Sequence, residues 1–334
     1  MAEQVILAGD VGGTKTHLAL WRATSSGPER LRDRVYRTTE FPSLEALCAE
    51  FLKGSGPPDA LCFGVPGPVI DGRSQPTNIM WKIEQTSLAA AFGCASVRLM
   101  NDLEATAYGV LHLRQDESVM LQAGARRAGA NMAIAAAGTG LGEAALIADR
   151  DGGYLAVATE GGHCDFAPRG AEQIELMKFV AAEFGHASYE RVLSGPGLMN
   201  IYRFLRESSG PPEPDWLKAE LEKAEDEAAV VSKAALDDRD PLCVRALEMF
   251  VEIYGAEAAN LALKTLATGG VWLGGGIAPK ILPILQRGGF VRAFNDKGRL
   301  GEILRRIEVR VVMNEAAALI GAAWCGFELL HRQD

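Results

Sequence analysis

Residues 97 to 108 read Val-Arg-Leu-Met-Asn-Asp-Leu-Glu-Ala-Thr-Ala-Tyr, a short apolar run that gives way to helix-type sequence. Asn101 and Asp102 stand at the junction. A carboxylate at a helix start lies near backbone N–H groups that favour its ionised form. Held at the edge of a cleft, it could accept a proton from a substrate hydroxyl. The same pair also reads as an ordinary helix cap. What weighs against a cap alone is the set of glycine loops elsewhere in the chain.

The first loop is Gly9-Asp10-Val11-Gly12-Gly13-Thr14, with apolar strand-type sequence at residues 5–8 before it and 17–21 after it, and a third strand around 34–39. Strand, glycine turn, strand is a hairpin. The Walker loop and the dinucleotide fingerprint both need a helix after the glycines, so neither fits. Adjacent glycines let backbone N–H groups approach a phosphate, Thr14 adds a hydroxyl, and Asp10 could hold Mg²⁺ through water. A tight hairpin with no ligand is the competing reading.

A second such turn, Ala137-Gly138-Thr139-Gly140-Leu141-Gly142, lies between a strand at 131–136 and an apolar run at 144–148. The repeated layout suggests a weak internal duplication, with one phosphate-facing hairpin per lobe. A third glycine cluster, Gly274-Gly275-Gly276, follows a strand at 271–273 and precedes a helix with Pro279 in an N1-like position. It permits a flat ligand against backbone, or close helix–sheet packing.

Polar groups suited to hydroxyls lie between these turns. Glu160 and His163 flank Gly161-Gly162, and Asn78 lies in the return segment of a hairpin ahead of Trp81. A carboxylate and an imidazole on one tight loop can make directional hydrogen bonds. A metal would need further ligands, and no neighbouring Cys or His supplies them. Glu190, before Arg191-Val192-Leu193-Ser194-Gly195-Pro196-Gly197, reads by itself as a surface acid.

The elements that must position these residues follow from periodicity and punctuation. Helices are expected at 43–53, 87–93, 103–113, 171–184, 198–207, 216–233, 241–267 and 316–330. Strands are expected at 60–65, 118–121, 154–158 and 309–313, with a hairpin at 69–72 and a linker at 208–214. The last helix should pack back on the first lobe.

At 334 residues, the chain is long enough for two lobes. Hydrophobic residues make up 48% and charged residues 23%, as in an ordinary globular protein. A net charge of −9 argues against nucleic acid or an anionic membrane as partner. Cys48, Cys62, Cys94, Cys164, Cys243 and Cys325 form no Cys-x-x-Cys pair and read as buried free thiols. Met1-Ala2-Glu3-Gln4 lacks a secretory signal pattern and no apolar run reaches spanning length, which points to the cytoplasm.

As an ordered set, these loops, with Asn101-Asp102, Glu160-Gly161-Gly162-His163 and the segment Glu190 to Gly197, resemble the bacterial glucokinase family, of the hexokinase, Hsp70 and actin superfold. The resemblance runs over roughly residues 4–330. It implies an α/β, two-lobed, actin-like ATPase (ribonuclease H-like) fold, each lobe a mixed sheet with flanking helices. Residues 1–113 with 314–334 would form a small domain and 114–313 a large one, the active site lying in the cleft between them. It implies ATP and Mg²⁺ as cofactors and phosphoryl transfer to the 6-hydroxyl of glucose, a glycolytic step. On the matching positions, Asp102 would be the base, and Asn101, Glu160, His163 and Glu190 would hold the other sugar hydroxyls with Asn78. Gly9 to Thr14, Gly138 and Thr139 would face phosphates, Asp10 would serve Mg²⁺, and Gly274 to Gly276 would lie against adenosine. A homodimer is implied by the family alone.

Two features depart from the family pattern. Many members follow the first Gly-Gly-Thr with Asn-Ala-Arg, where this chain has Lys15-Thr16-His17. The related repressor/kinase family often carries a Cys-rich zinc motif that Cys164 alone cannot build, so no structural zinc is expected. Two other readings are open: a kinase with another hexose or a polyphosphate donor, and a sugar- and nucleotide-responsive regulator without turnover. The second would lack the catalytic acid or carry a DNA-binding segment, whereas Asp102 is present and no helix-turn-helix sequence is expected before Val5.

Overall fold

A computed structural model describes residues 4–76, 79–208 and 212–331. The chain divides into two compact units, residues 1–117 with 314–334 and residues 118–313.

The first unit contributes β1 (Val5–Val11), β2 (Lys15–Thr24), β3 (Gly27–Arg37), β4 (Ala60–Val65), β5 (Arg73–Ser74), β6 (Ile83–Glu84) and β7 (Ser96–Asn101). Five of these form a sheet in the order β3-β2-β1-β4-β7, and β5 pairs with β6 separately. β1, β2 and β3 run antiparallel, while β4 is parallel to both β1 and β7. Leu7, Leu18, Leu61 and Phe63 are fully buried in its core. Helix Ala317–His331 lies against β1, β4 and helix Asp102–Val110, as expected of the closing helix.

The second unit contributes β8 (Ser118–Gln122), β9 (Met132–Ala137), β10 (Leu141–Ala148), β11 (Tyr154–Thr159), β12 (Gly270–Gly274) and β13 (Val309–Val312). Its sheet has the order β11-β10-β9-β12-β13-β8. β11, β10 and β9 are antiparallel, β12 is parallel to β9 and β13, and β8 closes the edge antiparallel. A three-strand meander followed by two parallel strands thus occurs in both units. The duplication expected from the two glycine-threonine hairpins is present in the sheets themselves.

The second core is built around helix Pro241–Thr265. Asp240 caps it by accepting a hydrogen bond from the Cys243 N–H at 2.8 Å, and Pro241 occupies the first turn, where no N–H partner is needed. Small residues let its neighbours come close. A side chain at Gly255 would collide with the carbonyl of Phe290 on helix Gly289–Asn295.

Several elements differ from expectation for identifiable reasons. β3 begins at Gly27 rather than near Arg34, because the polar run Glu29 to Arg34 forms an edge strand, paired only with β2 and largely exposed. Charged residues are tolerated there and keep other strands off the edge. The expected helix at 216–233 is two helices, Asp215–Leu221 and Glu227–Leu236, the second capped by Asp226 on the Ala229 N–H at 3.0 Å. Pro279 is the third residue of helix Ile277–Lys280, not its first, and still lies among the N–H groups that lack helical partners. At the expected hairpin, Ile70 and Arg73 exchange backbone hydrogen bonds of 2.9 and 3.0 Å. Asp71 and Gly72 both have positive φ there, 50° and 70°, the signature of a type I′ turn. Of the cysteines expected to be buried, Cys164 is exposed, because it follows the surface turn Gly161–His163.

Candidate active site

In the first unit the candidate residues gather at the C-terminal ends of β1, β4 and β7. Asp10 on β1 is in register with Gly64 on β4, and Gly64 with Met100 on β7. Asn101 ends β7 and Asp102 begins helix Asp102–Val110. A Cβ on Gly64 would lie 2.9 Å from the Ala105 Cβ and 3.6 Å from the Asp102 Cα. Glycine at this position lets the helix settle onto the sheet with its first turn beside Asp10. From the other side, a Cβ on Gly109 would collide with the carbonyl of Ala317, and one on Gly321 with that of Ala105. The helix bearing Asp102 is held by backbone-close contacts.

Asn101 does cap this helix: its Oδ1 accepts from the Leu103 N–H at 2.8 Å, and its Nδ2 donates to the Gly67 carbonyl at 3.0 Å. The Leu103 N–H is shared with Asp102 Oδ1, also at 2.8 Å. Capping and a chemical role do not conflict, since the cap fixes Asp102 in place. Asp10 feels Asp102 directly. Burial, and then the Asp102 charge, push its carboxyl up to about 6, and His17 pulls the other way.

The Lys15-Thr16-His17 segment has a structural account. His17 faces Asp10 across the β1–β2 pair, and its Nε2 lies 2.7 Å from Asp33 Oδ2 on β3. The Thr16 and Thr38 hydroxyls, both fully buried, are 2.9 Å apart. Thr38 also donates to the Gly12 carbonyl at 2.7 Å and, through its N–H, to the Thr14 carbonyl at 3.0 Å. This hydroxyl pair braces the first glycine turn and leaves Thr14 exposed at its tip. Gly9 faces inward instead: a Cβ there would meet Phe63 at 2.6 Å and Leu18 at 2.7 Å. Its backbone belongs to β1, as does that of Val11, which is buried.

In the second unit, the Gly138–Thr139 turn, the Gly274–Gly276 cluster and a helix start meet. Gly274 ends β12 in register with Ala136, and a Cβ on Gly275, at φ 77°, would collide with the carbonyl of Ala137. Gly275 is therefore a close-packing glycine. Gly138 and Gly276 face open space, with nothing within 4 Å of an added Cβ. Thr139 is exposed at the tip. The Gly195 N–H donates to the Gly138 carbonyl at 2.9 Å. Helix Gly195–Ser208 thus starts against this turn, three residues before the expected start at Leu198. Its signal was present: Ser194 caps the Gly197 N–H at 3.0 Å, with Pro196 in the first turn. A helix N-terminus at a glycine turn is a favourable setting for phosphate.

Glu160, His163 and Glu190 are brought together. The Glu190 N–H donates to the Gly162 carbonyl at 2.8 Å, and the Tyr189 N–H to that of Cys164 at 3.0 Å, so the two loops are laced together. Glu190 Oε2 accepts from the Leu141 N–H at 3.0 Å, which ties this carboxylate to the second glycine turn. A Cβ on Gly140 would come within 2.5 Å of it. Glu160 and His163 keep exposed side chains, 3.9 Å apart at their nearest ionisable atoms. Two carboxylates and an imidazole on adjoining loops can make directional hydrogen bonds. Asn78 lies outside the described residues.

Among the described residues no cluster of three or more His, Cys, Asp or Glu side chains is arranged to hold a metal ion. No described helix is long and apolar enough to cross a membrane. Thr38, Gly64, Glu143, Glu257 and Tyr189 were not singled out from sequence. The first two are ordinary local choices whose importance is tertiary. Glu143, however, is an acid within an otherwise apolar strand, and Glu257 an acid within an Ala-rich helix, and such acids are rarely buried without cause.

The family model described as Glucokinase matches residues 7–328. The chain is 38% identical to a glucokinase of Nostoc sp., covering 97% of this chain and 99% of that one. It is 40% identical to a glucokinase of Synechocystis sp., with 96% and 97% covered. A crystal structure of glucokinase from an Antarctic psychrotroph superposes with a TM-score of 0.86 at 28% identity, over 97% of this chain and 99% of that one. The glucokinase from Balamuthia mandrillaris in complex with glucose shares the fold, with a TM-score of 0.79 at 21% identity over 97% and 94% of the two chains. The ordered loops, the repeated sheets and a match along nearly the whole length agree, and the chain belongs to the glucokinase family of sugar kinases.

Proposed function

We propose that this chain transfers the γ-phosphoryl group of ATP to the 6-hydroxyl of glucose, with Asp102 as the general base. The observation that carries the assignment of the base is the placement of Asp102 at a capped helix start, set on Gly64 and beside Asp10. A carboxylate there can take the hydroxyl proton as the oxygen attacks phosphorus. Asn101, Glu160, His163 and Glu190 hold the remaining sugar hydroxyls, together with Asn78. Thr139, the open backbone at Gly138, and the start of helix Gly195–Ser208 take phosphate oxygens, as does the Gly12 to Thr14 turn. The open backbone at Gly276 lies against the adenosine.

Mg²⁺ fits Asp10. Two neighbouring carboxyls whose repulsion already disfavours ionisation of Asp10 gain from a cation nearby. With no larger cluster of ligands among the described residues, the ion would be held chiefly by phosphate oxygens and, through water, by Asp10. Bound there, it supplies charge neutralisation at the transferring group. The three-strand meander and two parallel strands found in each unit support an actin-like ATPase fold, and with it a reaction carried out in an interlobe cleft. Family likeness also supports a homodimer, which light scattering tests by giving twice the chain's mass.

The deciding experiment is ADP release from Mg·ATP with and without glucose, for wild type and Asp102→Ala. Glucose-dependent release that falls by about 10²- to 10⁴-fold in a variant with an unchanged circular dichroism spectrum is expected. Retention of most of the rate would remove Asp102 as base. Release on another hexose but not on glucose would keep the mechanism and change the substrate.

A further inference from the structure

Beneath the loop bearing Glu160 and His163 lie two acids that the mechanism above does not use. Glu143 on β10 and Glu257 on helix Pro241–Thr265 are 2% and 1% exposed. Their carboxyl groups are within hydrogen-bonding reach of each other. Each keeps a buried Oε1 that accepts no hydrogen bond, and Lys264 Nζ comes no nearer than 3.9 Å to that of Glu257. Two ionised carboxylates facing each other away from water would leave those oxygens unsatisfied and repel strongly. One proton held between them removes both costs.

The pair supports the sugar-side residues from below. A Cβ on Gly161 would collide with Glu143 Oε2, so the backbone between Glu160 and His163 rests on this carboxyl. The Thr159 hydroxyl donates to the Glu143 carbonyl at 3.1 Å and accepts from the Gly161 N–H at 3.1 Å. On the other flank, Asn260 Nδ2 reaches Glu257 Oε2 at 2.8 Å and the Tyr189 hydroxyl at 2.9 Å, and Lys297 Nζ donates to Asn260 Oδ1 at 2.5 Å. Tyr189 immediately precedes Glu190.

We propose that Glu143 and Glu257 are positioning residues that share one proton and through it seat Gly161 and Tyr189, and with them Glu160, His163 and Glu190, for the sugar. This rests on the sugar-binding reading of those three residues. Burial first, and then the charge of Glu257, push the Glu143 carboxyl up to about 8, while Lys264 pulls it down. The titratable and charged groups facing the pair are Lys264 on the Glu257 helix, Tyr189, the half-buried Lys297, and Tyr254. Lys297 in turn feels Arg169 and Asp296. Lys264 Nζ lies 3.9 Å from Glu257 Oε1, beyond hydrogen-bonding distance, and its single charge balances the one negative charge left when the pair holds a proton. Loss of that proton in alkali puts two charges under Gly161 and loosens the loop.

Four measurements on the full chain test this. In wild type the KM for glucose rises about threefold to tenfold as the pH is taken from about 7 to about 9, with kcat changing less, and the rise is absent in Glu143→Gln. Glu143→Ala raises the KM about tenfold at neutral pH, and the Gln variant restores most of the affinity. Infrared difference spectra at neutral pH show a protonated-carboxyl band in wild type that is missing from both Glu143→Gln and Glu257→Gln. Amide hydrogen exchange in peptides spanning residues 159–165 is faster in Glu143→Ala. Identical pH profiles for wild type and Glu143→Gln, or no carboxyl band lost, would overturn the proposal. The spectra and the exchange need no turnover. A chain inert toward glucose would therefore overturn the kinase reading, while the shared proton and the seating of the loop would still be decided.

Discussion

At the residue scale, Glu190 shows how a side chain unremarkable in sequence acquires a defined place. Its carboxylate is held by the Leu141 N–H and its backbone by Gly162, so it stands between the second glycine turn and the loop of Glu160 and His163. Replacing it with Ala leaves the Leu141 N–H without its acceptor and removes a candidate sugar contact. A loss of about 1–3 kcal/mol is expected, read as a rise of about fivefold to about 150-fold in the KM for glucose, measured by steady-state kinetics. Glu143 also leaves a mark on stability. Its folded-state carboxyl binds its proton more tightly than the unfolded value of 4.5 would, up to about 8. The folded state therefore holds the extra proton between those values, and this group's contribution to stability falls as the pH rises from about 4.5 through about 8. Thermal melts of wild type and Glu143→Gln across that range should show the wild type losing ground to the variant with rising pH.

At the element scale, the helix that carries Asp102 is set by glycines on two sides. Gly64→Ala would place a methyl carbon 2.9 Å from the Ala105 Cβ and must lift the helix start. Overpacking of this kind costs about 1–3 kcal/mol, and if Asp102 is the base, as proposed, a shift of its carboxylate lowers kcat. The expected outcome is a kcat loss larger than the fall in melting temperature would suggest, with the KM for ATP little changed. Gly321→Ala tests the other side. Its methyl would collide with the Ala105 carbonyl in an interhelical contact that has backbone on both faces, so loss of stability in thermal unfolding should dominate.

At the scale of the whole molecule, the first unit is completed by the end of the chain. Helix Ala317–His331 covers β1 and β4, and its Trp324 stacks on His112 with ring centroids 3.8 Å apart. Burial there pulls the His112 ring down to about 4, so it stays neutral at physiological pH. A chain ending at Met313 should leave the first unit without one wall of its core, while the second unit keeps its own. Limited proteolysis of that truncated chain should digest residues 1–117 and leave a resistant fragment near 118–313. Equal resistance of both parts would contradict this division of the core.

Much of the fold was legible because its signals are local. Glycine and threonine at a strand end specify a hairpin without reference to the rest of the chain, and two such hairpins foretold the repeated meander. Asp-Gly after an apolar pair pointed to the hairpin at Asp71 and Gly72, and the central helix was expected from Pro241, where it starts. Family membership too was determined by the sequence, since an ordered series of short motifs survives without knowledge of their distances. The polar edge strand β3 was only partly legible, because its residues are chosen for exposure on an edge, which is a property of the sheet. Only the tertiary structure decided that Thr38 braces the Gly12 turn, that Gly64 admits the helix of Asp102, and that Glu143 meets Glu257. The physical reason is common to all three. A buried hydroxyl, a missing Cβ or a carboxyl without water has meaning only through the group opposite it, and that group comes from a distant part of the chain.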